Sequence, residues 1–328
     1  AWGSNDYGQL GLGTTTDASA PQPVKTDGVL ADKTLVALAA GGYHALALDS
    51  DGKVYAWGRN SNGQLGNGTT TSSSVPVAVN MTGVLAGKRV VAIAAGDEFS
   101  LALTSDGRVY TWGDGGDGQL GHGDYVDFSS VPVAAGTTGA LANQTVIALA
   151  AGSEHALALT SDGRVYAWGN NGLGQLGTNR FGTNQSSPQP VYHGGAFGGK
   201  TIVAIAGGWD HSLALAADGR IYFWGENDHG QGGNGTTSNR NDPGLVSNSG
   251  VLAGKAILAL TGGDSHSTAL AADGRVYNWG FNDYGQLGNN ASGTDITSPV
   301  AVDVAGALAG KSVVALGTNW GGVFSLAL

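Results

Sequence analysis

Cysteine is missing from all 328 residues, and methionine occurs once. The first absence excludes thiol nucleophiles, cysteine-ligated zinc and disulfides together. Charged residues make up only 12% of the chain and sum to a net charge of −10. A phosphate backbone needs a positive field, so nucleic acid is an unfavourable partner. No apolar run approaches the roughly 18 residues of a membrane-spanning helix, so no membrane insertion is expected. An initiator Met and a signal peptide are also missing. The chain opens at Ala1-Trp2 in mid-repeat, as a processed product or a domain excised from a longer protein would. Neither cofactor nor metal is called for.

What abounds is glycine, 58 residues, and it is periodic. Six tryptophan-glycine pairs, Trp2-Gly3, Trp57-Gly58, Trp112-Gly113, Trp168-Gly169, Trp224-Gly225 and Trp279-Gly280, recur at spacings of 55, 55, 56, 56 and 55 residues. Such a period means that one supersecondary unit is copied along the chain. Within a copy, Val90 to Gly96 is short, apolar and glycine-bounded, as a buried inner strand is. Ser100 to Leu103 continues as a second strand, Ser105-Asp106-Gly107 is a tight-turn signal, and Arg108 to Gly113 alternates as a third. Val131-Pro132-Val133 suits an outermost strand, where an unpaired edge tolerates proline. Four antiparallel strands repeated radially make an all-β fold, a β-propeller. The expectation is one domain over 1–328 with six blades, closed into a ring. The last blade would take its inner strands from Ser325 to Leu328 and the segment before it, and its outer strands from the N-terminus.

The A-A-G-x-x-H-S-x-A-L, D-G-x-V-x-x-W-G and G-Q-L-G signatures stand here as Ala39 to Leu48, Asp51 to Gly58 and Gly63 to Gly66, and recur throughout. In these the chain resembles the regulator-of-chromosome-condensation (RCC1-like) repeat family, in its bacterial type. The resemblance implies the propeller. It also brings the eukaryotic family activity, guanine nucleotide exchange on a small GTPase with chromatin attachment, and a bacterial propeller that inhibits β-lactamase. Well-studied relatives have seven blades against six here, and no repeat carries the inserted wedge that nucleotide exchange would use.

Antiparallel strands put the first-to-second and third-to-fourth loops of each blade at one end, and the D-G turns at the other. The turn end collects repeat-locked Lys and Arg, whereas the loop end is acidic, opposed only by Arg59, Arg180 and Arg240. His44, His155, His211 and His266 exchange with Phe99 and Phe324 at one repeat position, so they read as packed rings. Function is expected where copies disagree. Trp209 and Asp210 precede His211; Tyr43, Asp97, Glu98, Glu154 and Asp264 occupy the same variable pair in other blades. Trp320 lies in an expanded version of that loop, and Tyr7 and Tyr284 vary before G-Q. These ten residues are the candidate binding set, because exposed aromatics anchor interfaces; alternatively, the rings plug the mouth of the channel. The paired carboxylates Asp97-Glu98, and Asp210 with Glu154, have no accompanying nucleophile or His-carboxylate partner, so no catalytic set is assigned. The chain thus reads as a non-enzymatic scaffold, a monomeric ring or a domain of a larger chain. Its partner would be a protein or carbohydrate with a basic surface. Alternatives are a structural module of a larger bacterial surface protein, or an exchange-factor-like regulator. An extracellular or cell-surface location in a bacterium is expected.

Overall fold

A computed structural model describes residues 1–317 and Leu328. Twenty strands form five four-stranded antiparallel sheets, in each of which chain order is also spatial order. The first sheet comprises β1 (Leu35–Ala40), β2 (His44–Asp49), β3 (Val54–Gly58) and β4 (Ser73–Ala78). The second comprises β5 (Val90–Ala95), β6 (Phe99–Thr104), β7 (Val109–Asp114) and β8 (Phe128–Ala135). The third holds β9 (Val146–Ala151), β10 (His155–Thr160), β11 (Val165–Gly169) and β12 (Gln185–Pro190). The fourth holds β13 (Ile202–Gly207), β14 (His211–Ala216), β15 (Ile221–Gly225) and β16 (Arg240–Leu245). The fifth holds β17 (Ile257–Gly262), β18 (His266–Ala271), β19 (Val276–Gly280) and β20 (Ile296–Ala301). The chain divides into two compact units, 1–149 with 185–188, and 150–184 with 189–328.

Five sheets, rather than the six blades expected from the repeat, are therefore formed by the described residues, and named strands do not close a ring. The reason lies in how the sixth copy is divided. Its Trp2-Gly3 run is too short for more than one rung, the bridge Gly3–Ala18, and residues 318–327 lie outside the described residues. What is present keeps register. Gly3–Ala18 reproduces the pairing of Gly58 with Ser73, and the hydrogen bonds between Leu328 and Ala315 reproduce the pairing of Leu103 with Ala92.

Within each unit, apolar packing runs between successive sheets. In the first unit Trp112 joins Leu46, Leu65 and Val90; in the second Trp279 joins Leu213, Phe223 and Leu260. Four of the indoles also donate Nε1–H to a glutamine carbonyl one repeat earlier: Trp57 to Gln9, Trp112 to Gln64, Trp224 to Gln175 and Trp279 to Gln231, at 2.8–2.9 Å. Trp2 differs, being 56% exposed. The glycine after each indole has φ between 97° and 112°. At Gly58 a Cβ would stand 2.4 Å from the Tyr43 carbonyl oxygen, so no larger residue fits. That close approach lets the Arg59 amide donate to the same carbonyl, which ties the first-to-second loop to the third-to-fourth loop of one sheet.

Candidate functional site

The loops at this end are fixed by polar residues that the repeat retains. Asn60 is fully buried; its Oδ1 accepts from Leu65 N at 2.9 Å, and its Nδ2 donates to the Thr69 and Thr71 carbonyls at 3.0 Å. Asn227 does the same with Gly232 N and the Thr236 and Ser238 carbonyls. The glutamine of each G-Q-L-G accepts at Oε1 from the amide two residues earlier, as Gln64 does from Asn62 and Gln231 from His229. The variable pair is linked from copy to copy by backbone hydrogen bonds, to which the Ser153 hydroxyl adds one, donating to Trp209 O at 2.9 Å. Gly42 N donates to Asp97 O, Ser153 N to Trp209 O, and Trp209 N to Gly263 O and Asp264 O. A backbone frame of this kind leaves the side chains free to differ.

In the first unit, four predicted residues converge around a fifth, Arg59, that was not singled out. Tyr7 and Tyr43 meet edge to face at 5.3 Å. The Arg59 guanidinium lies over both rings, at 5.2 and 5.8 Å from their centroids, and is ion-paired with Glu98. Asn62 also donates to Glu98. Burial raises the carboxyl pKa of both Glu98 and Asp97, and Arg59 opposes the rise. The Asp97 carboxylate occupies the space above Gly42 that a Cβ would need.

In the second unit Asp210 accepts from Gln175 Nε2 at 2.9 Å and from the Ser153 hydroxyl at 3.4 Å, while Glu154 accepts from Asn170 Nδ2 at 3.2 Å. Asp210 and Glu154 thus each accept hydrogen bonds from neutral donors, the Ser153 hydroxyl among those of Asp210. Glu226 was not chosen from sequence, yet it is the most perturbed carboxyl of this end. Burial, then Asp210, Asp228 and Asp264, push its pKa up to about 7, and His229 opposes them. Burial raises Asp264 as well. His229 Nδ1 lies 2.7 Å from Asp295 Oδ2 and its ring packs edge-on to Phe281 at 4.8 Å; Tyr284 then meets Phe281 at 6.0 Å. Tyr284 is 74% exposed and Trp209 37%. Trp320 lies outside the described residues.

Arg59 and Glu226 share one repeat position, directly after W-G, where the copies read Ser4, Arg59, Asp114, Asn170, Glu226 and Phe281. The same criterion of disagreement between copies would have found it. Among the described residues, no group of three or more His, Cys, Asp or Glu could hold a metal ion. At the turn end the basic residues are answered locally, as Lys200 by Asp218 and Lys255 by Asp273, both at 2.7 Å, so their recurrence is a property of the turn.

The sequence has relatives of several kinds. Human E3 ubiquitin-protein ligase HERC2 is 36% identical over 284 residues, which is 82% of this chain and 5% of that protein. The ultraviolet-B receptor UVR8 of Arabidopsis thaliana is 34% identical over 305 residues, 92% of this chain and 65% of the receptor. The chain therefore spans less than two thirds of either relative. Among solved structures, yeast RCC1 (Prp20) with Kap60 bound superposes with a TM-score of 0.78 at 27% identity, over 97% of this chain and 74% of that one. The RCC1-like domain model matches residues 1–328 from end to end, and with the W-G, D-G and G-Q-L-G repeats in five sheets of one design, the chain belongs to the RCC1-like β-propeller family.

Proposed function

We propose that this RCC1-like domain is a non-catalytic protein-binding module that engages its partner through the loop end. One observation carries the reading: the residues that differ between copies, Tyr43, Asp97, Trp209 and Asp264, are mounted on a backbone frame that does not depend on them. A scaffold that fixes position and leaves chemistry open suits recognition, and exposed aromatics beside carboxylates suit a basic protein surface. The yeast relative described with Kap60 bound is a propeller of this family engaged with a protein. The test is affinity capture on the immobilised chain, followed by identification of what is held. Capture of a protein lost in Trp209→Ala or Tyr43→Ala, with an unchanged circular dichroism spectrum, supports the reading. Equal capture by both variants overturns it, and retention of a glycan alone moves the assignment to carbohydrate.

We also propose that residues 1–24 and 312–328 complete a sixth blade. A pairing rule supports this. His44 contacts Ser100, His155 contacts Ser212 and His211 contacts Ser267, each ring reaching a serine one repeat later. In sequence, Phe99 is instead followed one repeat later by Ala156, and Ala45 is preceded by alanine's usual companion only if Phe324 is its cyclic predecessor.

A further inference from the structure

We propose that the loop end of the second unit, at Asp210, Glu226, Asp228 and Asp264 beside Trp209, receives an arginine side chain from a basic peptide segment of the partner. The proposal rests on the protein-binding reading and names its chemistry.

The first unit supplies an internal template. There the position after W-G is Arg59, whose guanidinium is paired with Glu98 and covered by the rings of Tyr7 and Tyr43. The frame thus accommodates a guanidinium between a carboxylate and aromatic faces, an arrangement that suits its planar, weakly hydrated charge. In the second unit the equivalent position is Glu226, and the surroundings are the counterpart of an arginine. Asp210 is tied to Glu226 through the bond from Glu226 N to Asp210 O, and Trp209 is tied to Asp264 through its own amide. The ionisable groups that act on Glu226 are Asp210, Asp228, Asp264 and His229, and His229 is already engaged by Asp295.

A second observation is independent of these charges. Gln231 is completely buried, and its Nε2 has no hydrogen-bond partner; the same holds for Nε2 of Gln64 and Gln286, whose copies carry Arg59 and Phe281 after W-G and so offer no acceptor there, whereas the Gln231 copy carries Glu226. Its Oε1 is held by His229 N, as Gln175 Oε1 is by Leu173 N and Gln119 Oε1 by Asp117 N, so the three amides point alike. Gln119 Nε2 donates to Asp114 Oδ2 at 2.6 Å and Gln175 Nε2 to Asn170 Oδ1 at 3.0 Å, both acceptors standing where Glu226 stands. Gln231 is therefore aimed at Glu226. A buried donor without a partner is unfavourable, and an ionised Glu226 turned toward it would satisfy it. A cation there would favour the ionised form against Asp210, Asp228 and Asp264. An incoming guanidinium provides that charge, and the orphaned amide and the crowded carboxylates are relieved together. With a carboxyl that titrates near neutral pH, entry of the cation releases a proton.

The experiment uses the whole chain and a fluorescein-labelled hexa-arginine peptide, followed by anisotropy, with calorimetry at pH 7 in two buffers of different ionisation enthalpy. The expected result is binding accompanied by proton release. Glu226→Gln and Asp264→Asn should each weaken it roughly tenfold or more, the worth of one hydrogen bond to a charged group. Glu226→Gln should also abolish the proton release, whereas Asp218→Asn at the turn end leaves both unchanged. Gln231→Leu, which removes the orphaned donor, should reduce the proton release. Absence of binding, or binding indifferent to Glu226→Gln and Asp264→Asn, overturns the proposal. Equal affinity for hexa-lysine overturns the choice of arginine. If hexa-arginine fails here while protein capture still depends on Tyr43 or Trp209, only this inference falls and the protein-binding reading stands.

Discussion

His155 donates its Nε2–H to the hydroxyl of Ser212, 2.9 Å away, and Ser212 donates its O–H to the carbonyl of Gln175 at 2.9 Å. The direction follows from the serine. Its single proton is committed to the carbonyl, so it can only accept from the imidazole. Trp224 donates to the same carbonyl, and two further rings, His44 with Ser100 and His211 with Ser267, repeat the relay. Nδ1 of His155 and His211 is buried without a donor, and burial lowers their pKa to about 3.

Exchanging one relay for the other kind of pair is the direct test. Ser212→Ala leaves a buried N–H unpaired and should cost about 1–3 kcal/mol. His155→Phe combined with Ser212→Ala recreates the Phe99 and Ala156 combination found in the sequence. The double variant should be more stable in urea than Ser212→Ala alone. A strictly additive double variant would remove the relay as the reason the two positions change together.

The same rings should make the protein acid-sensitive. His44 and His266 are lowered to about 4, and His155 and His211 to about 3, in each case chiefly by burial. Below the ordinary imidazole value the unfolded chain takes up protons that the folded chain refuses. Stability from this source is therefore complete above about pH 6.5 and declines toward pH 4, by about 1.4 kcal/mol per pH unit for each ring. Urea midpoints measured from pH 7 to pH 4.5 should fall less steeply in the His155→Phe, Ser212→Ala double variant. An identical slope would mean that the rings are protonated in the fold.

Size exchange between Phe223 and Gly232 gives another prediction. In other copies the Phe223 position is Ala56, Thr111, Ala167 or Asn278 and the Gly232 position is leucine; here a Cβ on Gly232 would stand 2.1 Å from the Phe223 ring. Gly232→Leu should overfill the site and Phe223→Ala should empty it, each losing about 3 kcal/mol. Together they restore the Ala56 and Leu65 combination, and thermal denaturation should place the double variant within about 1 kcal/mol of the parent. A double variant as unstable as the sum of its parts would show that the two sites do not compensate.

Ring closure is open to a permuted chain. Leu328 would be joined to Ala1 through a copy of the Asp49–Tyr55 segment, which links the equivalent points in the first sheet, and the chain reopened at Gly87 between the first two sheets. If residues 1–24 and 312–328 form one blade, the permuted protein should melt within a few degrees of the parent. Failure to fold, with a parent that folds, would separate those two segments.

The repeat made the strands, the D-G turns and the buried tryptophans legible, because each is set by chemistry within one copy. Exchange of His with Phe showed that the rings are packed, but the matching Ser and Ala one repeat later identifies what they pack against, and that lies in plain sequence. Arg59 over Tyr7 and Tyr43 was not legible in this way. Its contacts join three copies through side-chain directions that depend on the twist of the loops. Asp97 and Glu98 are adjacent in sequence, yet Glu98 turns to Arg59 and Asn62 while Asp97 lies over Gly42. Adjacent carboxylates thus gave no warning of divergent surroundings. The position of Glu226 was legible as one where the copies disagree, but its burial and its crowding by Asp210 and Asp264 arise only when neighbouring loops are brought together.

The amides of Gly42, Ser153 and Trp209 reach the next variable pair without enlisting a single variable side chain. Inheritance can therefore rewrite one address on this end of the molecule while the others keep theirs. A lineage carrying such a chain could move from one partner to another by single substitutions, each intermediate still folding, with no detour through a damaged scaffold.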